Sequence, residues 1–507
     1  MPSNIIKKIL QARVYDVANE TPIEAARFLT KRLNNHVLLK REDLQPVFSF
    51  KVRGAYNKII NLTDEEKASG VIAASAGNHA QGVALAAAQL GIEATIVMPT
   101  TTPNIKVSSV AALGGKVVLH GDSFDDAYEY AQGLMDEHGY CFVHPYDDPD
   151  VIAGQGTVGM EILRQISGPL DAIFIPVGGG GLVAGVSCYI KYLRPDIKII
   201  AVESEDSACL KAAMEAGKRV ILPEVGLFAD GVAVKQIGKE NFRLAKQCVD
   251  EVITVSTDEI CAAIKDVFDD ARCITEPAGA LSVAGLKKYV QTHKVMDQTL
   301  LAITSGANVN FDRLRHIAER SELGEKREAI FAVTIPEKTG SFKTFCKTLG
   351  KRSITEFNYR YAGRDKAQVF VGVQTASFSE VGLLEAELGG QGYSVVNLSD
   401  NEMAKLHIRH LVGGHVPTDD VDMNHERVFR FEFPERPGAL LAFLQTLGSR
   451  WNISLFHYRN HGAAFGRVLV GMQIPDQERE IVDEYFADLG YRYWDESDNP
   501  AYQLFLQ

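Results

Sequence analysis

The chain has 507 residues, 46% hydrophobic and 23% charged, so at roughly 150 residues per domain it exceeds one core and is too apolar to be disordered. A formal charge of −12, from 53 Lys+Arg against 65 Asp+Glu, argues against sequence-independent affinity for nucleic acid or an anionic membrane. The seven cysteines (Cys141, Cys188, Cys209, Cys248, Cys261, Cys273, Cys346) are odd in number and never spaced C-x-x-C, which disfavours a disulfide framework or zinc ribbon and points to reduced thiols in a cytoplasmic protein.

Met1 to Pro22 lacks an apolar run with a small-residue cleavage site, and Asp16 and Glu20 argue against a transit peptide. The uncharged run from Val71 up to Glu93 is interrupted by Asn78, His79 and Gln81, and Ala172–Ile190 by Pro176 and four glycines, so neither is expected to span a membrane. From Val37 to about Asn310, short apolar runs alternate with longer helical stretches. Val71–Ser75, Ala94–Met98, Lys116–His120, Ala172–Val177, Lys198–Glu203 and Thr299–Thr304 read as strands, most of them buried on both faces. Ser123–Glu137 and Gly181–Leu193 read as crossover helices. The expectation is a two-lobed α/β domain over 1–320. Asp312 to Glu328 is rich in Arg and Glu and reads as a solvated helix whose end, 321–328, is a connector.

The last third repeats itself. Ile335-Pro336-Glu337-Lys338-Thr339-Gly340 recurs as Phe433-Pro434-Glu435-Arg436-Pro437-Gly438. Phe342, Phe345, Cys346 and Leu349, at helical spacing, recur as Leu440, Phe443, Leu444 and Leu447, with Gly350 and Gly448 as matching stops. Phe357-Asn358-Tyr359-Arg360 returns as Phe456-His457-Tyr458-Arg459, and Val371-Gly372-Val373-Gln374 as Val470-Gly471-Met472-Gln473. Each copy reads strand, helix, strand, strand, helix, strand, the order of a ferredoxin-like βαββαβ sandwich. The expected boundaries are 329–402 and 427–507, with 403–426 as a linker containing Gly413-Gly414.

Two motifs carry chemistry. In Ser49-Phe50-Lys51-Val52-Arg53-Gly54-Ala55, a lysine lies between an aromatic and small residues; an amine of lowered pKa can form a Schiff base with a carbonyl. Taken alone, a lysine near an aromatic is more often a surface or snorkelling residue. Val177-Gly178-Gly179-Gly180-Gly181-Leu182 follows a strand and opens a helix, where glycine amides can close around an anion. It lacks the G-K-[ST] ending of the nucleotide P-loop and the spacing of the dinucleotide fingerprint.

With Ser75-Ala76-Gly77-Asn78-His79-Ala80-Gln81-Gly82 and Ser305-Gly306-Ala307-Asn308, these motifs resemble the fold-type II enzymes that use pyridoxal 5'-phosphate (PLP). The two terminal repeats look like ACT-type amino-acid-sensing domains, so the whole chain resembles the biosynthetic threonine deaminases. That resemblance implies a two-lobed catalytic domain similar to the tryptophan synthase β chain, followed by two ACT-like domains. It implies that Lys51 holds PLP and removes the substrate's Cα proton, with Phe50 beside it. Gly178, Gly179, Gly180, Gly181 and Leu182 would bind the phosphate, Asn78 the 3′-oxygen, and Ser305 the pyridine nitrogen. Backbone N–H groups around Ser75, Ala76, Gly77, Asn78 and His79 would receive the substrate carboxylate. The implied reaction converts L-threonine to 2-oxobutanoate and ammonia, the first step of isoleucine biosynthesis, with L-serine as a secondary substrate.

For the repeats the resemblance implies feedback binding of isoleucine, with valine as a further candidate, at Gly340, Phe342, Arg352 and Tyr359 in the first copy. In the second copy the residues are Glu435, Gly438, Leu440, Leu444 and Tyr458, and the assembly is expected to be a homotetramer. Glu276-Pro277-Ala278 has Ala278 where relatives often carry Ser. Glu203 and Asp230 read as a cation site or, alternatively, as structural hydrogen bonding, and His407 and His410 lack partners at metal spacing, so no metal is expected. The alternatives are a serine dehydratase or racemase with an appended sensor, and a catalytically silent amino-acid-binding regulator.

Overall fold

The apolar runs of the first 310 residues build two sheets, and those of the last third build a single one. The computed structural model describes residues 3–311, 313–324, 328–350, 352–360, 365–375, 378–401, 404–405, 408–410, 426–434, 439–447, 450–459, 465–482, 485–486, 490–499 and 502. The chain divides into two units, Met1–Gly324 and Glu325–Gln507.

In the first unit, β1 (Ile23–Ala25), β2 (His36–Arg41), β7 (Ala172–Pro176), β8 (Lys198–Ser204), β9 (Glu251–Val255) and β10 (Thr299–Thr304) form a sheet of order β1-β2-β10-β7-β8-β9. Only β1 is antiparallel to its neighbour. A second, fully parallel sheet of order β5-β4-β3-β6 contains β3 (Val71–Ala74), β4 (Ala94–Met98), β5 (Lys116–Leu119) and β6 (Cys141–Phe142). Every residue of β3, β4 and β7 is buried, because helices cover both faces of such sheets and leave no place for an alternating pattern. The sequence reading locates six of these ten strands. It misses β6, only two residues long, and β9, where Glu251, Val252 and Thr254 are half-buried. In β2, Lys40 and Arg41 disguise a buried strand by being neutralised inside the protein.

That neutralisation is a buried ionic cluster. Arg53, fully buried on the helix Lys51–Ile60, donates to Glu42 (2.7 and 2.8 Å) and Glu161 (2.6 and 3.0 Å), and Lys40 reaches Glu161 at 2.6 Å. Two cations balance two carboxylates, so each charge is compensated where water cannot reach it. The cluster ties the helix that starts at Lys51 to the end of β2 and to the helix Pro149–Gln165.

In the second unit, the first copy supplies β11 (Glu328–Pro336), β12 (Ile354–Arg360), β13 (Lys366–Gln374) and β14 (Ser394–Asn397). The second copy supplies β15 (Glu426–Pro434), β16 (Asn452–Arg459), β17 (Phe465–Gln473) and β18 (Arg492–Asp495). Their order is β14-β11-β13-β12-β16-β17-β15-β18, which is the ferredoxin-like order 4-1-3-2 followed by its mirror listing. The helices Ser341–Leu349, Phe378–Gly390 and Ala439–Leu447 bury Phe342, Phe345, Leu384, Leu388, Phe443 and Leu444 in one core with the strands. The copies meet where β12 pairs antiparallel with β16, with Phe357 opposite Tyr458, Asn358 opposite His457 and Tyr359 opposite Phe456. Since Asn358 and His457 are equivalent in the repeat, an approximate two-fold axis passes between them.

Both copies also carry the same irregularity. The register shifts between Ile354 and Glu356 and again between Ile453 and Leu455. The extra residues, Thr355 and Ser454, donate their hydroxyls to Glu328 and Glu426 at the starts of β11 and β15. A side chain on Gly372 would come within 2.3 Å of Thr355 Oγ1, and one on Gly471 within 3.0 Å of Ser454 Oγ. The repeated glycine is therefore the space under a repeated bulge. Gly413, Gly414, Gly448 and His407 lie outside the described residues, as does the side chain of His410.

Candidate active site

The C-terminal ends of β3, β7 and β10 carry the loops beginning at Ser75, Val177 and Ser305, the end of a parallel sheet at which ligands are held. One recess of about 420 Å³, counting space open to solvent, is lined by Phe50, Lys51, Asn78, Pro176, Gly178–Leu182, Gly231, Val232, Glu276, Ala278 and Ser305. Lys51 Nζ donates to the Pro145 carbonyl at 3.1 Å and stands 5.3 Å from the centre of the Phe50 ring. Burial disfavours its ammonium form and brings its pKa down to about 8, with the Glu276 carboxylate opposing.

The glycine turn fits an anion. A Cβ on Gly179 would fall 2.1 Å from the Tyr146 ring, one on Gly178 would fall 2.9 Å from Val232, and Gly180 has φ +93°, which only glycine adopts freely. The Gly179 carbonyl accepts from Asn241 Nδ2 at 2.7 Å and from the Gly238 N–H at 3.1 Å, and the Gly178 carbonyl faces Cys209 Sγ at 3.4 Å. In a trans peptide the N–H points opposite to the carbonyl, so anchoring these oxygens turns the Gly179 and Gly180 N–H groups the other way. They join the unsatisfied first-turn amides of the helix Gly181–Leu193 at its positive end. An anion of phosphate size suits this arrangement, and the nearby amine suits an aldehyde, which together are the two handles of PLP.

The remaining polar lining comes from three segments. Ser305 is buried and donates Oγ–H to the Ala278 carbonyl at 3.2 Å. Asn78 begins the helix Asn78–Leu90, donating from Nδ2 to Glu276 Oε1 at 2.6 Å and accepting at Oδ1 from Asn308 Nδ2 at 2.7 Å. Burial and the neighbouring Asp230 charge push the Glu276 carboxyl up to about 7, although the Asn78 hydrogen bond opposes this.

Among the expected carboxylate-binding residues, only Asn78 lines the recess; Ser75, Ala76 and Gly77 form the half-exposed loop just before it. The Ser75 N–H is taken by the Val97 carbonyl at 3.1 Å, and the Gly77 N–H faces Ser75 Oγ at 3.3 Å. The buried His79 ring lies 2.8 Å from the Val143 carbonyl through Nε2. A carbonyl only accepts, so Nε2 carries the proton and the ring is neutral, its pKa brought down by burial to about 3. Glu203 accepts from the Leu210 and Lys211 amides at the start of the helix Cys209–Ala216, and Asp230 is paired with Lys106 at 2.8 Å and Arg313 at 3.4 Å. Both carboxylates thus make structural bonds, and no metal-binding group of three or more ligands occurs among the described residues. Gly231, Val232 and Glu276 line the recess, and Tyr146 and Asn241 pack against the glycine turn from behind; none of the five has a sequence signal of its own, because each comes from a segment distant along the chain.

In the second unit, Phe342, Tyr359, Leu440, Leu444 and Tyr458 are all buried. Gly340, at φ +88°, precedes the helix Ser341–Leu349. Phe342 packs 4.7 Å from Tyr359 and 6.3 Å from Phe456 of the other copy, centre to centre. Arg352 is already engaged, with Glu380 at 3.0 Å and the Leu349 carbonyl at 3.0 Å. A different carboxylate stands at the seam. Glu337 accepts from the Tyr359 hydroxyl and, at 3.3 Å, from Asn452 Nδ2 of the second copy, and burial raises its pKa. Its equivalent in the repeat, Glu435, lies with Gly438 outside the described residues.

Residues 14–306 match the family described as pyridoxal-phosphate dependent enzyme. Residues 319–408 and 419–506 each match the C-terminal regulatory domain of threonine dehydratase. The chain is 56% identical to the biosynthetic L-threonine dehydratase of Burkholderia multivorans, over 99% of both chains. It is 51% identical to the mitochondrial threonine dehydratase of Saccharomyces cerevisiae, over 99% of this chain and 89% of that one. The processed form of threonine deaminase isoform 2 from Solanum lycopersicum superposes with TM-score 0.62 at 48% identity, covering 63% of this chain and 93% of that one. Serine racemase from Dictyostelium discoideum gives TM-score 0.56 at 31% identity, covering 60% and 99%. The chain belongs to the threonine dehydratase family of pyridoxal-phosphate dependent enzymes.

Proposed function

We propose that the recess holds PLP and converts L-threonine to 2-oxobutanoate and ammonia, with L-serine as a secondary substrate. The observation that carries this reading is the buried Lys51 amine sharing one recess with the tetraglycine turn. Gly178–Leu182 would hold the phosphate, Ser305 the ring nitrogen, and Asn78 the 3′-oxygen. PLP, when bound, supplies the electron sink that makes the amino acid's Cα–H acidic. Lys51 Nζ, with a pKa near 8, spends an appreciable fraction of its time as free amine at neutral pH and can take that proton. The Pro145 carbonyl holds it by a hydrogen bond of 3.1 Å. Two matched regulatory segments favour a dehydratase over a racemase carrying the same catalytic unit.

Isoleucine, and valine as a second effector, would bind at the seam of the second unit, in a cytoplasmic homotetramer. An aliphatic amino acid needs an apolar wall and a carboxylate for its ammonium, and Phe342, Phe456 and Glu337 offer both. Reduction of the holoenzyme with borohydride, followed by digestion, is expected to tag the peptide containing Lys51, and Lys51→Ala is expected to lose both the tag and 2-oxo-acid production. A tag on any other lysine would end this reading.

A further inference from the structure

We infer that Asn308 and Glu276 are positioning residues that lock the Asn78 amide with an N–H directed into the recess. This deepens the proposed function and rests on its reading of the recess as a PLP site. The Val47 carbonyl can only accept, so the Asn308 atom 2.8 Å from it is Nδ2, and the same nitrogen is 2.7 Å from Asn78 Oδ1. Both Asn308 amide hydrogens are spent on these acceptors. Asn78 must therefore turn Oδ1 toward Asn308 and Nδ2 toward Glu276 Oε1, 2.6 Å away. One Nδ2 hydrogen remains, on a residue that lines the recess, and it can only donate, which suits an acceptor such as the phenolate oxygen of PLP.

Neither clamp residue is loose. Glu276 is buried, with Oε1 only 2.5 Å from where a Cβ on Gly306 would stand. Asn308 follows a strap in which the Ala307 N–H donates to the Phe48 carbonyl at 2.9 Å, the Phe50 N–H donates to the Ser305 carbonyl at 3.3 Å, and Ser49 bridges to Gly306. The segment that leads into Lys51 thus also anchors the residue that aims Asn78.

The test uses holoenzyme. Asn308→Asp keeps the shape but cannot donate to Asn78, whose amide is then free to flip and present an oxygen. It is expected to weaken PLP binding about tenfold or more and to shift the induced circular dichroism of the cofactor band, which reports how the ring is held. A space-filling role predicts wild-type affinity and spectrum, and that result would overturn the inference. Should Asn308→Asp not fold, Glu276→Gln and Glu276→Leu decide. The glutamine oxygen still accepts from Asn78 and should keep the dichroic band in place, whereas leucine should shift it; identical behaviour of the two overturns the clamp. Borohydride tagging of Lys51 in unaltered holoenzyme separates the two levels, since a missing tag sinks the PLP reading, while a correct tag with unmoved variants sinks only the clamp.

Discussion

A methyl group is enough to test the cradle. The Cβ of Gly179→Ala would sit 2.1 Å from the Tyr146 ring, so the ring or the turn must shift to admit it. Such overpacking costs about 1–3 kcal/mol, so Gly179→Ala is expected to weaken PLP binding about ten- to a hundredfold, read as loss of the cofactor's absorbance on dialysis. His79 makes a different residue-scale prediction. Its folded pKa of about 3 lies below the ordinary 6.5, so the unfolded chain binds the proton first. Its contribution to stability is full above pH 6.5 and is lost as the pH falls toward 3, by about 1.4 kcal/mol per pH unit. His79→Gln can still donate to the Val143 carbonyl but does not titrate. Denaturant unfolding from pH 7 to pH 4 should therefore show a shallower loss of stability in that variant than in the parent.

The helix Lys51–Ile60 is held at its first turn by Arg53, two residues beyond the reactive amine. Arg53→Met would leave Glu42 and Glu161 sharing only Lys40, and breaking such a buried pair costs about 3–5 kcal/mol, measurable as a lower denaturation midpoint. Elements like this explain what could be read in advance. Strands buried on both faces announce themselves as apolar runs, and a helix that opens on four glycines is legible because few other uses exist for that pattern. The half-buried β9 and the two-residue β6 carry no such contrast. Gly372 and Gly471 were visible as a repeat, but their purpose depends on a bulge in the adjacent strand. The same limit hid Glu337: the alignment paired it with Glu435, yet only the seam brings Tyr359 and Asn452 to its carboxylate. Asn308 has no role legible in the Ser305–Asn308 motif, because its partners Val47 and Asn78 lie far away along the chain.

Over the whole molecule, the described residues contain no helix long and apolar enough to cross a membrane, and the division at Gly324 separates a chemical unit from one matching regulatory segments. The first unit has its own cores and both of its sheets are complete within it. Deleting residues beyond Arg327 is therefore expected to leave threonine dehydration in place and to abolish inhibition by isoleucine. Initial rates over a range of isoleucine concentrations check this, and an inhibition curve like that of the intact chain would remove the regulatory assignment.

The junction of β12 with β16 has one more consequence. Because both strands lie on one polypeptide, each confronts the other at an effective concentration set by the chain that joins them, whatever the amount of protein present. Closure of that eight-stranded surface is a unimolecular event, so extreme dilution, which would dissociate a pair of unlinked sensing modules, leaves it intact.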